Sequence, residues 1–366
     1  LSIVIAILVF SLVVVVHEIG HFVAARASGV LVEEFAIGMG PKLFSVTRGE
    51  TVYSLRAFPL GGSCRMLGED ADNHDERSFN SKSIPKRFAI LAAGAAMNFV
   101  LALVLYLVYM AMIPFYNVPV VNTVAENSAA QEAGLQTGDE IIRVNGKKIN
   151  IHDDYSLAVD DKSPDPIVME LLRNGEKYEL TVTPRYNEAM SAYKIGISWD
   201  RHLGIFYQDE EMTEAELAQF TRANVGELLS TAYYKTGFAI RVTLHGLAKL
   251  VTFQASVNDF AGPIGIVVMV DDMVDEIQST ASPADGLFLV VLNTLGFAAL
   301  LSANLGLFNL LPVPALDGAR IVFLLIEGVR RKPVPAEKEG VVHFAGFVLL
   351  MILAVFIAYN DIVKLL

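Results

Sequence analysis

Two histidines and a glutamate occur in the run His17-Glu18-Ile19-Gly20-His21, an H-E-x-x-H spacing. On a helix, residues i and i+4 share one face about 5–6 Å apart, so the two imidazoles can close on a single ion. Neutral imidazole is a good Zn2+ ligand at about 2.0–2.1 Å, and Glu18 lies one residue round the helix, within reach of a water on that ion. Zinc lowers the pKa of such a water toward about 7, and a carboxylate can take its proton as it attacks a carbonyl. The chemistry indicated is hydrolysis with one Zn2+ and Glu18 as general base. The setting sharpens this reading. From Leu1 to Ala25 the chain is apolar except for His17, Glu18 and His21. One charge at the centre of a membrane helix costs about 2.5–3.5 kcal/mol or more, so three ionisable side chains there point to function rather than packing.

Two histidines leave a tetrahedral catalytic zinc one protein ligand short. The carboxylates compete for that place with His74, His152, His202, His245 and His343. Asp317 stands out through its neighbourhood, Asn309-Leu310-Leu311-Pro312-Val313-Pro314-Ala315-Leu316-Asp317-Gly318. Pro312 and Pro314 cannot continue a helix ladder, and broken backbone at membrane depth is tolerated only where it lines a cavity or is buried in protein. An extended segment ending in a carboxylate is suited to deliver Asp317 to the metal. Glu33 and Glu34 follow the first apolar run closely, but an aqueous loop is their expected place. His343 opens a later apolar run and reads as an interfacial residue.

The elements that must hold these groups are membrane spans. Of the 366 residues 53% are hydrophobic and 19% charged, and the net charge is −12. This excludes disorder and nucleic-acid binding through a basic surface, and the one cysteine, Cys64, excludes a disulfide framework. Four apolar runs, Leu1–Ala25, Phe88–Ile113, Leu287–Leu311 and Val341–Tyr359, approach or exceed the roughly 20 residues needed to cross a bilayer. Leu1–Val16 followed by Ala25-Arg26-Ala27 also has the outline of a signal peptide, but such a peptide has no reason to carry the two histidines and Glu18. Residues 117–285 hold 26 Asp+Glu against 13 Lys+Arg, whereas Arg26–Arg87 carries 9 Lys+Arg and Arg320–Lys338 carries 5. The positive-inside rule places the two short connections in the cytoplasm and residues 117–285, with both termini, on the opposite side. From His21 to Arg26 is about 7.5 Å of helix and from Leu1 to His17 about 24 Å, so the metal is expected within the bilayer nearer the cytoplasmic face.

The middle segment carries a second pattern. Val118–Val124 and Glu140–Val144 read as strands, and Ile167–Leu172 with Lys177–Thr183 as a hairpin around Asn174-Gly175. Between the first two lie a short helix closed by Gly134, the turn Gly138-Asp139 and, beyond Val144, a tight Asn145-Gly146 turn. The order A-x-x-A-G-L-x-x-G-D-x-I-x-x-V-N-G resembles bacterial PDZ domains over residues 117–185. Such a domain offers a groove to an extended peptide or chain end.

With these residues assembled, the chain resembles the site-2 protease family of intramembrane zinc metalloproteases, especially the bacterial members with a PDZ insert. The supporting matches are Phe58-Pro59-Leu60-Gly61-Gly62, Met66-Leu67-Gly68-Glu69-Asp70, Gly94 with Asn98, and Gly262-Pro263-Ile264-Gly265-Ile266. Ser63-Cys64 after the glycine pair and the acidic link from Asp209 to Ala218 depart from the usual pattern. The resemblance implies one zinc held by His17, His21 and Asp317, with Glu18 as base. It implies that Asn309, Pro312, Gly61 and Gly62 meet the substrate, and that residues 30–66 form a membrane-associated β-hairpin that receives the unwound substrate strand.

The expected fold is therefore a polytopic α-helical membrane protein of about four transmembrane helices, with an inserted extracytoplasmic α+β PDZ-like domain and that hairpin. Residues 1–27 form the first span, 28–87 the hairpin and loop, 88–116 the second span and 117–185 the PDZ unit. A linker with an amphipathic helix and the GPxGI segment occupies 186–286, the third span 287–318, and a cytoplasmic loop with the fourth span 319–366. The expected activity is regulated intramembrane proteolysis in a bacterial cell membrane. Single-span proteins, such as membrane-bound anti-sigma factors or remnant signal peptides, would be cut after their outer domain is trimmed. The partners are these substrates and the lipid bilayer, not nucleic acid. A non-catalytic scaffold presenting a PDZ groove is the competing class, and the intact Glu18 speaks against it. A cation transporter with a broken third span is opposed by the lack of inverted repeats. Leu228–Phe253 reads either as an interfacial amphipathic helix or as one packed on the PDZ unit.

Overall fold

The computed structural model describes residues 2–69, 75–206, 213–252, 254, 262–280, 283–332 and 334–365. His74, Asp70 and the acidic Asp209-Glu210-Glu211 lie outside the described residues. The chain runs α1 (Ser2–Ala27), β1 (Val32–Arg48), β2 (Thr51–Met66), α2 (Ile84–Met112), β3 (Phe115–Val124), α3 (Ala129–Glu132), β4 (Glu140–Val144), β5 (Lys147–Lys148) and α4 (Asp154–Ala158). It continues through β6 (Ile167–Arg173), β7 (Glu176–Val182), β8 (Arg185–Asn187), β9 (Ala192–Lys194), β10 (Ile197–Leu203), α5 (Glu214–Leu217) and β11 (Thr221–Arg222). Helices α6 (Val225–Val251), α7 (Pro263–Thr280), α8 (Pro283–Leu310), α9 (Asp317–Arg330) and α10 (Ala336–Leu365) complete it. Two units result: Leu1–Leu105 with Thr243–Leu366, and Tyr106–Val242.

Helices α1, α2, α8 and α10 are long and apolar enough to cross a membrane. Each covers one of the four apolar runs to within a residue and extends beyond it at one end or both. On α10, Phe344, Leu349 and Val355 are 69, 66 and 65% exposed, a face that suits hydrocarbon and would be costly in water. These findings fit a polytopic membrane protein.

Strands β1 and β2 pair antiparallel around the Gly49-Glu50 turn, with Arg48 opposite Thr51. The hairpin is not straight. Gly38 and Gly40 in β1 and Gly61 in β2 all have φ near +80 to +90°, a conformation glycine adopts without a Cβ penalty. The strands bend there, and Glu34–Ile37 is flanked twice, by Gly62–Arg65 on one side and by Val52–Leu55 on the other. Apolar side chains of the hairpin, Met39, Leu43, Phe44, Val46 and Phe58, remain exposed. Its base is fixed by a buried cluster in which Val32, Phe35, Cys64 and Met66 pack with Ala25 of α1, Ile90 and Leu91 of α2, and Ile321 and Leu324 of α9.

The second unit is built on a sheet of order β11-β10-β3-β4-β6-β7, with β5 on β4. Ser128 caps α3 by accepting the Gln131 N–H at 3.2 Å, and Gly134 follows with φ +84°. Asn145-Gly146 and Asn174-Gly175 both take positive φ at each residue, the geometry of tight two-residue turns. The hairpin expected at Asn174-Gly175 is formed by β6 and β7. Asp139 is fully buried and receives both Nε (2.6 Å) and Nη2 (2.7 Å) of Arg173, a bidentate pair that ties the start of β4 to the end of β6. On α6, Lys235 pairs with Asp153 at 2.9 Å and Arg241 with Asp154. Lys235 and Arg241 are thus paired within the unit.

Candidate metal centre and active site

Helix α1 presents His17 and His21 on one buried face, as the i, i+4 spacing requires. Their Nε2 atoms lie 3.1 Å apart. Asp317 Oδ2 is 3.2 Å from the first and 3.3 Å from the second. Ligand atoms bonded tetrahedrally at about 2.0–2.2 Å stand roughly 3.3–3.6 Å from one another, so the triangle is within a few tenths of an ångström of one face of a zinc site. The three residues form a potential ligand group, and Asp317 Oδ2 is buried without accepting a hydrogen bond of sound geometry. A cation between the three atoms would satisfy it. The donor set, two imidazoles and one carboxylate, is one that zinc accepts in catalytic sites, and the residues present fit the ion.

Each ring is aimed by a partner. His21 Nδ1 lies 2.9 Å from the Ile90 carbonyl oxygen of α2, which fixes the proton on Nδ1 and leaves Nε2 free for a metal. His17 Nδ1 faces two side-chain amides, Asn98 of α2 and Asn309 of α8, each at 3.4 Å. Gly94, one turn before Asn98, leaves the space that the rings fill. A Cβ there would stand 2.6 Å from His17 Cε1 and 2.8 Å from His17 Nε2, and closer still to His21 Nε2.

Asp317 is delivered differently from expectation. Rather than ending an extended segment, it opens α9 after a tight turn. Helix α8 stops at Leu310, the Val313 N–H reaches the Leu311 carbonyl at 2.7 Å, and Ala315 takes φ +77°. Pro312 and Pro314 break the helix as expected, but the chain restarts helix at once. Gly318 permits the fold-back, since a Cβ there would lie 2.6 Å from the Leu310 backbone. His343 of α10 accepts the Ala315 N–H at 3.0 Å and so braces this turn, a role its place at the start of an apolar run did not disclose.

Glu18 is half-buried beside this triangle and lines the same cavity as Cys64 of β2. Gly62 lies against it, where an added Cβ would meet Glu18 Cγ at 2.9 Å. Gly61 packs on Met39, Asn309 is buried, and Pro312 is exposed at the turn. A cavity of about 600 Å3 opens over the group, lined by His17, Glu18, His21, Gly62, Cys64 and Asp317 among others. Gly61, Asn309 and Pro312, three of the four residues expected to meet substrate, are not among its lining residues.

The other described ligand candidates lie away from this group. Glu33 pairs with Arg65, and buried Glu34 with Lys42, Ser54 and Arg56. Burial pushes the Glu34 carboxyl up, but these three donors outweigh it and hold it at about 2. His152 rests edge-on against Trp199, His202 pairs with Glu227 at 2.6 Å, and His245 is exposed.

The sequence profile of peptidase family M50 matches residues 5–353. The chain belongs to this family, the site-2 proteases. It is 37% identical over 362 residues to a Clostridium perfringens protein named provisionally as a zinc metalloprotease, covering 99% of this chain and 98% of that one. Zinc metalloprotease RasP of Geobacillus kaustophilus is 31% identical over 445 aligned positions, with 99% of this chain and 98% of the relative covered. Regulator of sigma-W protease RasP of Bacillus subtilis is 30% identical over 444, with 98% and 97% covered. This M50 peptidase is a multi-pass membrane zinc metalloprotease, and its cofactor is Zn2+.

Proposed function

We propose that this M50 peptidase hydrolyses peptide bonds within the membrane-spanning segments of single-span proteins, with His17, His21 and Asp317 holding the zinc and Glu18 acting as general base. One observation carries the reading: three ligand atoms lie 3.1–3.3 Å apart, and the two imidazoles and the neighbouring Glu18 carboxylate come from a helix apolar enough to span a bilayer. When bound, Zn2+ supplies a Lewis-acidic centre that polarises the scissile carbonyl and acidifies water. Glu18 takes one proton of the attacking water as its oxygen bonds to the carbonyl carbon. It returns that proton to the leaving nitrogen as the C–N bond breaks, so the products are a carboxylate and an amine. The close wall at Gly62 limits the directions open to the Glu18 side chain.

A helical span hides its carbonyls in i→i−4 bonds, so it must unwind before one can react, and each exposed backbone group then needs a new partner. The limb of β2 from Gly62 to Met66 lines the cavity and can supply main-chain partners, while the buried Asn309 amide lies beside His17. Gly61 and Pro312, outside the cavity lining, would act on the strand's approach. In this reading Tyr106–Val242 contains a PDZ-like module outside the cytoplasm that excludes substrates whose outer domain is untrimmed. Membrane-bound anti-sigma factors and remnant signal peptides, in a bacterial cell membrane, are the substrate classes that fit. The module's peptide groove would lie between β10 and α4, where Trp199 now packs on His152 and Tyr155.

The test is Glu18→Gln in the full-length protein with a single-span substrate carrying Gly or Pro in its cytoplasmic third. The variant should keep its zinc and lose at least about 100-fold in cleavage. Cleavage at the parent rate would remove Glu18 from the mechanism.

A further inference from the structure

His17 presents Nε2 to Asp317 and His21, so as a neutral metal ligand it carries its proton on Nδ1, and that N–H needs an acceptor. For His21 the corresponding acceptor is the Ile90 carbonyl. For His17 the atoms facing Nδ1 are the amide nitrogens of Asn98 and Asn309, both at 3.4 Å. Two N–H groups cannot satisfy each other. A half-turn of a side-chain amide exchanges its nitrogen for its oxygen at nearly the same place.

The two amides are not equivalent. Asn98 is fully buried, and its Oδ1 has no hydrogen-bond partner among the described residues. Its backbone is held by the Ser302 hydroxyl of α8, which donates to the Asn98 carbonyl at 2.8 Å. It stands one turn after Gly94, the position that admits the rings. The half-turn gives His17 its acceptor at 3.4 Å, and a shift of a few tenths of an ångström brings the pair into the ordinary range.

We propose that Asn98 is the positioning residue for the zinc ligand His17, its Oδ1 accepting the Nδ1–H and so fixing ring tautomer and orientation. The inference rests on the zinc reading given above, and the test separates the two.

Zinc affinity of the full-length protein in detergent is measured by competition with a chromophoric chelator, and the Co2+-substituted protein is followed by its visible spectrum. Asn98→Ala should weaken zinc 10–100-fold and alter the Co2+ bands. Asn98→Asp keeps an acceptor of the same shape and should hold zinc at least as tightly as the parent, a rescue that a purely structural role does not give. Zinc binding by Asn98→Ala within twofold of the parent would overturn the proposal. So would a tenfold loss in Asn98→Asp, which carries the test alone where the alanine variant does not fold. His17→Ala is the control for the underlying reading: unchanged zinc binding there would sink the ligand assignment itself, whereas zinc loss there with none in Asn98→Ala refutes only the role of Asn98.

Discussion

Gly94→Ala adds one methyl group where the site has no room for it. An ordinary carbon contact needs at least about 3.4 Å. The new Cβ would stand 2.6 Å from His17 Cε1 and 2.8 Å from His17 Nε2, so the His17 ring must retreat by about 0.6–0.8 Å, and His21 by more. Neither retreat is free. Ile90, which holds His21 Nδ1, is on the same helix as Gly94, so moving α2 away drags the His21 acceptor with it. Ligand distances tolerate about ±0.2 Å, so the displacement exceeds the tolerance about three- to fourfold. Misplacement on the scale of 1 Å costs on the order of 100-fold. Helix propensity works in the opposite direction, since Ala is better than Gly by about 1 kcal/mol in a helix interior. Any loss therefore comes from the site. The assay is zinc content by mass spectrometry after purification, then cleavage of a single-span substrate with zinc restored. Gly94→Ala should fall at least about 100-fold in cleavage and retain little zinc. Gly246→Ala on α6, where nothing lies within 4 Å of an added Cβ, should match the parent in both. A Gly94→Ala protein with full zinc and parental cleavage would refute the packing argument.

Asp317→Ala should lower zinc occupancy and abolish cleavage, while Glu33→Ala leaves both near parental values, as read by metal analysis and fragment mass. Because the Glu34 carboxyl sits near 2 in the folded protein against an ordinary 4.5, its contribution to the hairpin is complete above about pH 4.5. It is lost as pH falls from 4.5 through 2. A shift of that size corresponds to at most about 3 kcal/mol, less because Lys42 is half exposed and screened. Glu34→Gln should therefore reduce amide-exchange protection of residues 32–37 at pH 7 and flatten its dependence on pH between 5 and 2, and an unchanged profile would count against the ion-pair network.

Much of the site was legible because its chemistry is local. His17, Glu18 and His21 sit within one and a half helical turns, and helix periodicity alone puts the two rings together. The apolar runs were equally plain, since a bilayer demands continuous hydrophobicity. Asp317 was legible as a companion of the two histidines but not in its local conformation: two prolines announce a broken helix, and nothing in their spacing says whether helix resumes beyond them. The double flanking of Glu34–Ile37 was hidden because it depends on glycine bends at 38, 40 and 61 acting together across the hairpin. Asn98 and His343 act through positions 81 residues from His17 and 28 from Ala315. A span's sequence marks such polar residues as unusual without naming what they touch.

The centre is best understood as a product of how closely the spans approach. A Cβ on Gly20 of α1 would run into the Ala93 carbonyl and lie 2.9 Å from Gly94 Cα, so α1 and α2 meet backbone to backbone just where the histidines project. On α8, a Cβ at Gly306 would lie 3.0 Å from the Ala95 carbonyl oxygen and 3.2 Å from Asn98 Cβ, and Ser302 hydrogen-bonds Asn98 one turn away. Small residues permit such approach between membrane helices, where no hydrophobic gain drives association and close packing must supply the attraction. Here the same closeness sets the chemistry. Ile90, Gly94 and Asn98 recur at intervals of four along α2, and in turn they hold one imidazole, make room for both and meet the other. The H-E-x-x-H run offers the ligands, but the face of α2 decides where their nitrogens point. That is why a methyl group at 94, which changes no ligand and improves the helix, should disable the enzyme.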